Sequence, residues 1–407
     1  MASLLIGISV TLAVFCLVIL VLKLRATWVL KLQPRAAQGI DKIMLKCSNP
    51  FMLNCFTVRP CDWNHVVKVV RNNTSLLLSR RDSPLKIFYC TSSRQFKFHS
   101  SLSLNDILQT ENDLQKCLNF NRLDKRYAVN IKINPKYHKI FFFWSHGCFD
   151  GVRFNNEIAH PILEARKFSP KLLCPYFYQP FLTEWRMLSI LAKQLTTRLS
   201  LKKIPLFSDI TQQSVIHHKL SLDTRAKIKS KYNCSSQQAE FAIFLKMLFF
   251  SLEKKYNKVS MTLLSAMPPS TRFRNNFGLS HRVFKRSLSL RGYIEQIKSL
   301  SYSQRQINAY QRFFSHFVWA AHMTNYLTDC QFSPMAMHNA RRGTLYAEQM
   351  LNAETITLPC SQAIYCCTLS SKSEIIFSTT INTPAIQKKK LMRQKISEYH
   401  YQDLFDE

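Results

Sequence analysis

The chain has 407 residues, of which 46% are hydrophobic and 12% aromatic, so it is long enough for two domains and too apolar for a disordered protein. A formal net charge of +32 favours partners that carry negative charge, namely an anionic lipid surface, a polyanionic cosubstrate or a nucleic acid. The 13 cysteines are odd in number and irregular in spacing and include no Cys-x-x-Cys pair, which argues against a disulfide framework and indicates reduced thiols.

The N-terminal segment from Ala2 to Leu22 contains no charged residue and is long enough, at ~1.5 Å per residue, to cross a hydrocarbon layer of ~30 Å. We therefore predict a transmembrane helix over residues 2–22. Cations follow this segment and none precedes it: Lys23, Arg25, Lys31 and Arg35. This pattern argues against a cleaved signal peptide and places the C-terminal flank in the cytoplasm. We expect a basic juxtamembrane linker over residues 23–46 and a single-pass protein with a cytoplasmic domain, on the endoplasmic reticulum in a eukaryotic cell.

Strands and helices alternate over residues 47–200, which predicts a first α/β subdomain. The patterns predict strands over residues 51–58, 76–78, 86–90, 95–99, 127–133 and 139–145. They predict helices over residues 60–73, 103–118, 154–165 and 183–197.

A second subdomain is expected over residues 201–407, and its first residues, 201–209, are the linker that crosses into it. The patterns predict helices over residues 236–253, 288–299, 303–326 and 385–399 and strands over residues 259–266, 363–370 and 374–381. Because the order of elements is similar in the two halves, the sequence predicts an α+β protein with two pseudo-symmetric mixed-sheet subdomains behind one transmembrane helix.

The segment from His146 to Gly151 follows directly on the apolar run from Ile140 to Ser145. A continuous aromatic strand is buried on both faces, so the imidazole after it is held rigidly. Imidazole, with an ordinary pKa of about 6.5, is the side chain best suited to removing a proton near neutral pH. Asp150 is placed to fix backbone amides of the turn, and Gly151 supplies a position where φ can be positive.

Two other interpretations of this segment stay open. Cys148 lies two residues from His146 and is therefore a candidate nucleophile, but its neighbours supply no activating cation. Alternatively, His146 is an ordinary strand-end histidine, and Asp150-Gly151 is a common turn. We assign no metal site, because the adjacent pair His217-His218 points its rings in different directions.

The strand, His146, Asp150, Gly151 and the following helix resemble the His-x-x-x-Asp-Gly acyltransferases of the chloramphenicol-acetyltransferase-like fold. This family includes wax ester synthases, alcohol acyltransferases, plant acyltransferases and peptide-synthetase condensation domains. A weaker similarity covers residues 261–278, where a strand leads into an arginine- and asparagine-containing segment. The terminal pattern of two strands and a helix also fits.

The resemblance implies transfer of an acyl group from a thioester, on coenzyme A or a carrier protein, to an alcohol, an amine or a lipid acceptor. His146 would be the general base, with Asp150 holding the loop, and no cofactor would be tightly bound. A tetrahedral oxyanion would need a donor from the second half, and we do not rank the candidates Ser260, Thr262 and Ser361. Arg272 and Asn276 are the candidates for substrate binding.

The chain also departs from the family. Ser145 stands where many members have the first of two histidines, the Asp-Phe-Gly-Trp-Gly segment of the plant members is absent, and 7 glycines are few for a fold with a tunnel. One alternative is an inactive binding or scaffold protein on the same fold. Another is a membrane-tethered nucleic-acid-binding protein, which we disfavour because, apart from Lys388-Lys389-Lys390, the cations are spread through every segment. The sequence does not assign an oligomeric state.

Overall fold

The computed structural model of the chain describes twelve continuous segments from residue 51 onward, together with residues 13–18 and the positions 10, 20, 21, 24, 41, 45, 196 and 199. The segments are residues 51–90, 92–93, 95–118, 127–164, 201–208, 214–266, 277–287, 289–298, 328–335, 350–357, 362–370 and 374–386. The predicted helices over residues 183–197, 303–326 and 385–399 lie wholly or mostly outside them, as do Arg272, Asn276 and Ser361.

Thirteen strands are numbered in chain order. They are β1 (Phe51–Val58), β2 (Ile87–Cys90), β3 (Gln95–Phe98), β4 (Leu108–Thr110), β5 (Val129–Asn134), β6 (Lys139–Ser145), β7 (Ser214–Ser221), β8 (Lys258–Ala266), β9 (Phe277–Lys285), β10 (Cys330–Met335), β11 (Met350–Thr357), β12 (Ile364–Ser370) and β13 (Glu374–Ile381).

The α-helices within the described segments are likewise numbered in chain order. They are α1 (Trp63–Ser79), α2 (Leu104–Ile107), α3 (Leu114–Leu118), α4 (Gly151–Phe154), α5 (His160–Glu164), α6 (Leu222–Tyr232), α7 (Ser236–Ser251) and α8 (Leu290–Lys298), and a π-helical turn, Asn155–Ala159, joins α4 to α5. Two short 3-10 helices occupy Pro60–Asp62 and Pro84–Lys86.

The strands form two mixed sheets and a separate hairpin of β2 and β3. The first sheet has the order β11-β1-β6-β5-β4, in which β4 and β5 are parallel and the other neighbours antiparallel. The second has the order β7-β13-β12-β10-β8-β9, in which β10 runs parallel to β8 and β12. A mixed α/β fold is therefore confirmed, whereas the exact domain boundaries stay a prediction.

Strand β11 crosses between the two halves of the chain. It lies within the half predicted to form the second subdomain, yet it pairs along its length with β1 of the first sheet. It also contacts β12 and β13 of the second sheet. The strand therefore connects the two sheets.

Strand β6 is buried on both faces, as its apolar sequence predicts. Phe142 and Trp144 face a core that includes Phe56 and Phe154, whereas the alternate residue Phe143 packs in a second cluster on the opposite face. The second sheet has its own core around α7. The end of β6 is thus fixed from both sides.

Several predicted elements were wrong. The strand predicted at residues 76–78 is the last part of α1, where Leu77 and Leu78 turn into the core. The helix predicted over residues 103–118 is two short helices, α2 and α3, because the chain between them joins the sheet as β4 beside β5. The predictions also missed β7, α6, β9, β10 and β11.

The predicted span over residues 2–22 lies largely outside the described residues. Within the described part of the chain, no helix combines the length and the apolar character that a bilayer span requires. The positions that are described are helical, and several carry exposed apolar side chains: Val10, Val14, Leu17, Val18, Leu20 and Val21.

Candidate active site

The turn after β6 is closed by hydrogen bonds to its last residue, Ser145. The Ser145 amide donates to the carbonyl of Ala128 (2.8 Å), and the Ser145 carbonyl accepts from the amides of Cys148 and Phe149 (both 3.0 Å). From residue 140 to residue 150, His146 is the one residue that is not buried. A rigid turn therefore presents one titratable side chain at the edge of the core.

The imidazole of His146 lies beside the indole of Trp144, with ring centroids 5.4 Å apart. Trp144 is itself fixed, because its Nε1 donates to Oδ1 of Asn54 (2.9 Å) on β1 and its ring stacks on Phe154 at 4.6 Å. The indole thus gives the histidine a fixed aromatic wall on one side.

Asp150 caps helix α4. It is 3% exposed, and its Oδ1 accepts a hydrogen bond from the amide of Arg153 (2.6 Å), while its carbonyl accepts from the amide of Phe154 (2.8 Å). A carboxylate at this position satisfies a helix amide and complements the helix dipole. Asp150 therefore ties the end of the turn to the start of the helix.

Gly151 is the first residue of α4, so its backbone is right-handed helical and does not use a positive φ. Residues 146–148 form the turn instead. Space at Gly147 is limited by Leu45, since a Cβ built at Gly147 would lie 2.6 Å from Cδ2 and 3.1 Å from Cγ of the Leu45 side chain. Leu45, in the predicted juxtamembrane linker, thus packs directly against the residue after His146.

The helix that follows the turn is irregular and carries a buried ion pair. Nε of Arg153 lies 3.1 Å from Oε1 of Glu157, and their side chains are 6% and 16% exposed. The turn Asn155–Ala159 is π-helical, a rare conformation that is frequent at functional sites. Asn73 on α1 donates to the carbonyl of Ile162 (2.8 Å), which fixes the far end of this segment.

Cys148 is 3% exposed and points into the first core. A thiol in that position is not accessible to a substrate, which argues against the nucleophile interpretation.

Two of the candidates from the second half, Ser260 and Thr262, lie on β8 of the second sheet. Ser260 on β8 is fully buried, and its carbonyl accepts from the amide of Asp329 (3.0 Å). Thr262 is 7% exposed, and its Oγ1 lies 2.7 Å from Oγ1 of Thr328. Ser361 lies outside the described residues, so the choice of an oxyanion donor stays a prediction, as do the roles of Arg272 and Asn276.

Sequence reasoning missed the residues that support the site. Asn54 holds Trp144 across two strands that are far apart in sequence, and no local pattern signals this contact. In the second half, Asp329 accepts from the amide of Ile204 (3.4 Å) with Oδ1, and its carbonyl accepts from the amide of Ala363 (2.9 Å). Asp329 therefore joins β8, β12 and the segment at residues 201–208.

The sequence matches no family model, and no curated protein matches it. Solved structures match over nearly the whole chain. The trichothecene 15-O-acetyltransferase TRI3 from Fusarium sporotrichioides has a TM-score of 0.61 at 10% identity, with 91% of this chain and 95% of that chain covered. The chain has the chloramphenicol-acetyltransferase-like acyltransferase fold.

Two further solved structures have a similar fold. The wax ester synthase/diacylglycerol acyltransferase from Marinobacter aquaeolei VT8 has a TM-score of 0.54 at 11% identity, covering 91% of this chain and 98% of that one. F. sporotrichioides TRI101, solved in complex with coenzyme A and T-2, has a TM-score of 0.55 at 10% identity, covering 90% and 97%. At these identities the likeness establishes the fold alone.

The arrangement can transfer a proton. A partly exposed imidazole on a rigid turn, beside a buried aromatic wall, suits a general base that meets a substrate from outside the core.

Proposed function

We propose that the chain is an acyltransferase that moves an acyl group from a thioester, acyl-CoA in the first instance, to a hydroxyl or amine acceptor. The observation that carries the proposal is the placement of His146. It is the partly exposed residue of an otherwise buried turn, in a chain with an acyltransferase fold.

In the proposed reaction, His146 takes the proton from the acceptor as the acceptor oxygen or nitrogen attacks the thioester carbonyl carbon. The tetrahedral intermediate then collapses, the carbon–sulfur bond breaks, and the imidazolium returns the proton to the leaving thiolate. Such general base catalysis contributes typically 10²–10⁴-fold in rate.

Asp150 and Trp144 act as positioning residues in this proposal. Asp150 holds the turn through the amide of Arg153, and Trp144 limits the orientations of the imidazole. The oxyanion donor comes from the second half, with Ser260, Thr262 and Ser361 as candidates, and Arg272 and Asn276 are the candidates for substrate binding.

We further propose that residues 2–22 attach the protein to a membrane, with the catalytic domain in the cytoplasm. The uncharged sequence of this segment supports the attachment, as do its exposed apolar side chains, such as Leu17 at 61%. A lipid acceptor or acyl donor would then reach the site from the bilayer. The wax ester synthase/diacylglycerol acyltransferase among the similar structures is consistent with an acceptor of this kind.

The test is acyl transfer by the full chain in detergent. The purified protein is incubated with acyl-CoA thioesters of increasing chain length, with and without alcohols, amines and diacylglycerol, and release of free coenzyme A is measured by mass spectrometry. We expect release that depends on an acceptor and is lost in His146→Ala.

Cys148→Ala is the matched control, because it changes a buried neighbour in the same turn and should leave turnover intact. Failure of every acceptor to stimulate release would contradict the proposal. Acyl-CoA binding that persists without transfer, and that His146→Ala leaves unchanged, would favour a binding protein on the same fold.

A further inference from the structure

Six exposed lysines lie around the start of β8, at one edge of the second sheet. We call this surface the basic rim, and its lysines are Lys202, Lys203, Lys254, Lys255, Lys258 and Lys285. None of these lysines has a role in the proposed acyl transfer.

Ring contacts and strand pairing bring these lysines together. Nζ of Lys202 and Nζ of Lys255 lie 6.0 Å and 5.4 Å from the centroid of the same ring, Tyr256. Lys258 on β8 is directly opposite Lys285 on β9. Like charges opposite each other across two strands are destabilising, so a bound anion would relieve the repulsion.

The charge of the basic rim is not balanced locally. Residues 201–208, 250–258 and 282–286 contain one carboxylate, Glu253, which contacts Lys255. The neighbouring Arg286 is engaged differently, since its guanidinium donates to the carbonyls of Leu252 (3.1 Å) and Tyr256 (3.3 Å) at the end of α7. Because six lysines face one carboxylate within these segments, the basic rim keeps a net positive charge for an outside partner.

Two large apolar side chains are exposed beside the lysines. Leu206 is 42% exposed and Phe250 is 53% exposed. The chain at residues 382–386 joins their segments, because the amide of Phe207 donates to the carbonyl of Asn382 (3.2 Å) and the amide of Glu253 donates to the carbonyl of Ala385 (3.2 Å). In sequence, the run of three lysines at residues 388–390 begins just after this segment.

We infer that the basic rim is a docking surface for an anionic lipid bilayer. The lysines meet the negatively charged headgroups, and Leu206 and Phe250 enter the boundary between headgroups and acyl chains. The exposed Leu206 favours lipid over nucleic acid, because an aliphatic side chain gains nothing from a phosphate backbone. The surface would fix the orientation of the domain on the membrane, whichever way residues 2–22 are attached, and it does not depend on acyl transfer.

The test is binding of the full chain to phosphatidylcholine vesicles with and without phosphatidylserine, measured by co-sedimentation. Near an anionic surface each lysine is worth roughly fivefold in binding, so Lys254→Gln, Lys255→Gln and Lys258→Gln together should weaken binding to anionic vesicles on the order of 100-fold. Binding to neutral vesicles should not change.

The matched control removes three exposed lysines from α6, Lys227→Gln, Lys229→Gln and Lys231→Gln, and should change binding to anionic vesicles by less than about threefold. For the apolar contribution, Phe250→Ser should weaken binding to both kinds of vesicle by about fivefold, whereas Leu76→Ser, at a 70% exposed position on α1, should not.

Three results would overturn the inference. The first is a rim variant that binds anionic vesicles as the parent does, and the second is an equal loss in the α6 control, which would mean that only total charge matters. The third is a rim variant that loses binding to a DNA duplex but keeps its binding to vesicles, which would make the rim a nucleic-acid surface.

Discussion

Glu240 and Asp150 are buried carboxylates, one beside each sheet, and they differ in their hydrogen-bond partners. The oxygens of Glu240 contact two side chains, with Oε1 2.7 Å from Nη1 of Arg225 and Oε2 3.1 Å from Oγ1 of Thr368. Asp150 instead accepts from the backbone of its own helix and so shapes a turn.

The contacts of Glu240 and Asp150 also differ in what they contribute to the protein. The Glu240 network joins α6 and α7 to β12, and its members contribute to stability and to the packing of the second sheet. The Asp150 turn contributes less to stability, but it leaves the neighbouring His146 partly exposed. A buried carboxylate alone therefore does not mark a catalytic site, and the proposed active site rests instead on the partly exposed His146 beside the Asp150 turn.

The largest change expected from this comparison is in stability. Glu240→Ala leaves Arg225 buried without its carboxylate partner and should lower the free energy of unfolding by about 3–5 kcal/mol. Urea denaturation measures this. The control is Glu374→Ala on β13, whose partner Lys219 lies at 3.2 Å in an exposed pair and whose loss should cost at most ~1 kcal/mol. Equal losses at the two positions would contradict the account of the second sheet.

Gly147→Ala tests the other half of the comparison, the turn beside the first sheet. The added methyl group would collide with Leu45, so we expect a loss of ~1–3 kcal/mol in stability. Displacement of the adjacent His146 should also lower kcat, by ~10-fold or more. The double variant Gly147→Ala, Leu45→Ala should recover part of both losses, and additive losses would show that Leu45 is not the cause.

Asp150→Ala removes the cap of α4 and should cost ~0.5–2 kcal/mol in unfolding free energy, together with a lower kcat at unchanged KM. Asp150→Asn keeps an oxygen that can accept from the amide of Arg153 and should restore most of both. If Asp150→Asn were as inactive as Asp150→Ala, the charge of Asp150 would be needed, and its role would go beyond shaping the turn.

The smallest effect concerns thiol reactivity, and it distinguishes the β2–β3 hairpin from the second sheet. Hydrogen bonds with Ser92 and Ser93 lower the pKa of Cys90, on the β2–β3 hairpin, to about 6, whereas burial raises the pKa of Cys366 on β12. A lowered pKa makes the thiolate the main form above about pH 6. Iodoacetamide should therefore label Cys90 rapidly at pH 7 in the folded protein and spare Cys366, as peptide mass mapping would show.

Much of the first half was predictable because its signals are local. The apolar run from Ile140 to Ser145 predicts a buried strand, and a strand followed by His146 and Asp150-Gly151 predicts the turn and the helix. The resemblance carried by these residues predicted the chloramphenicol-acetyltransferase-like fold, and the similar solved structures confirm that fold.

The rest depends on contacts that no local pattern encodes. Strand β11 pairs with β1 across about 300 residues of chain, and its sequence does not state which sheet it joins. Helix α6 was missed because it is rich in lysine and buries only Thr224 and Ile228. The contact between Asn54 and Trp144 arises from the register of β1 on β6.

The central claim is that His146 removes a proton from the acceptor. The most direct test is kcat for acyl transfer by His146→Ala, beside the free energy of unfolding of the same variant. The account predicts a fall of about 10²–10⁴-fold in kcat, with stability within ~1 kcal/mol of the parent. Turnover that survives in the folded variant would contradict it.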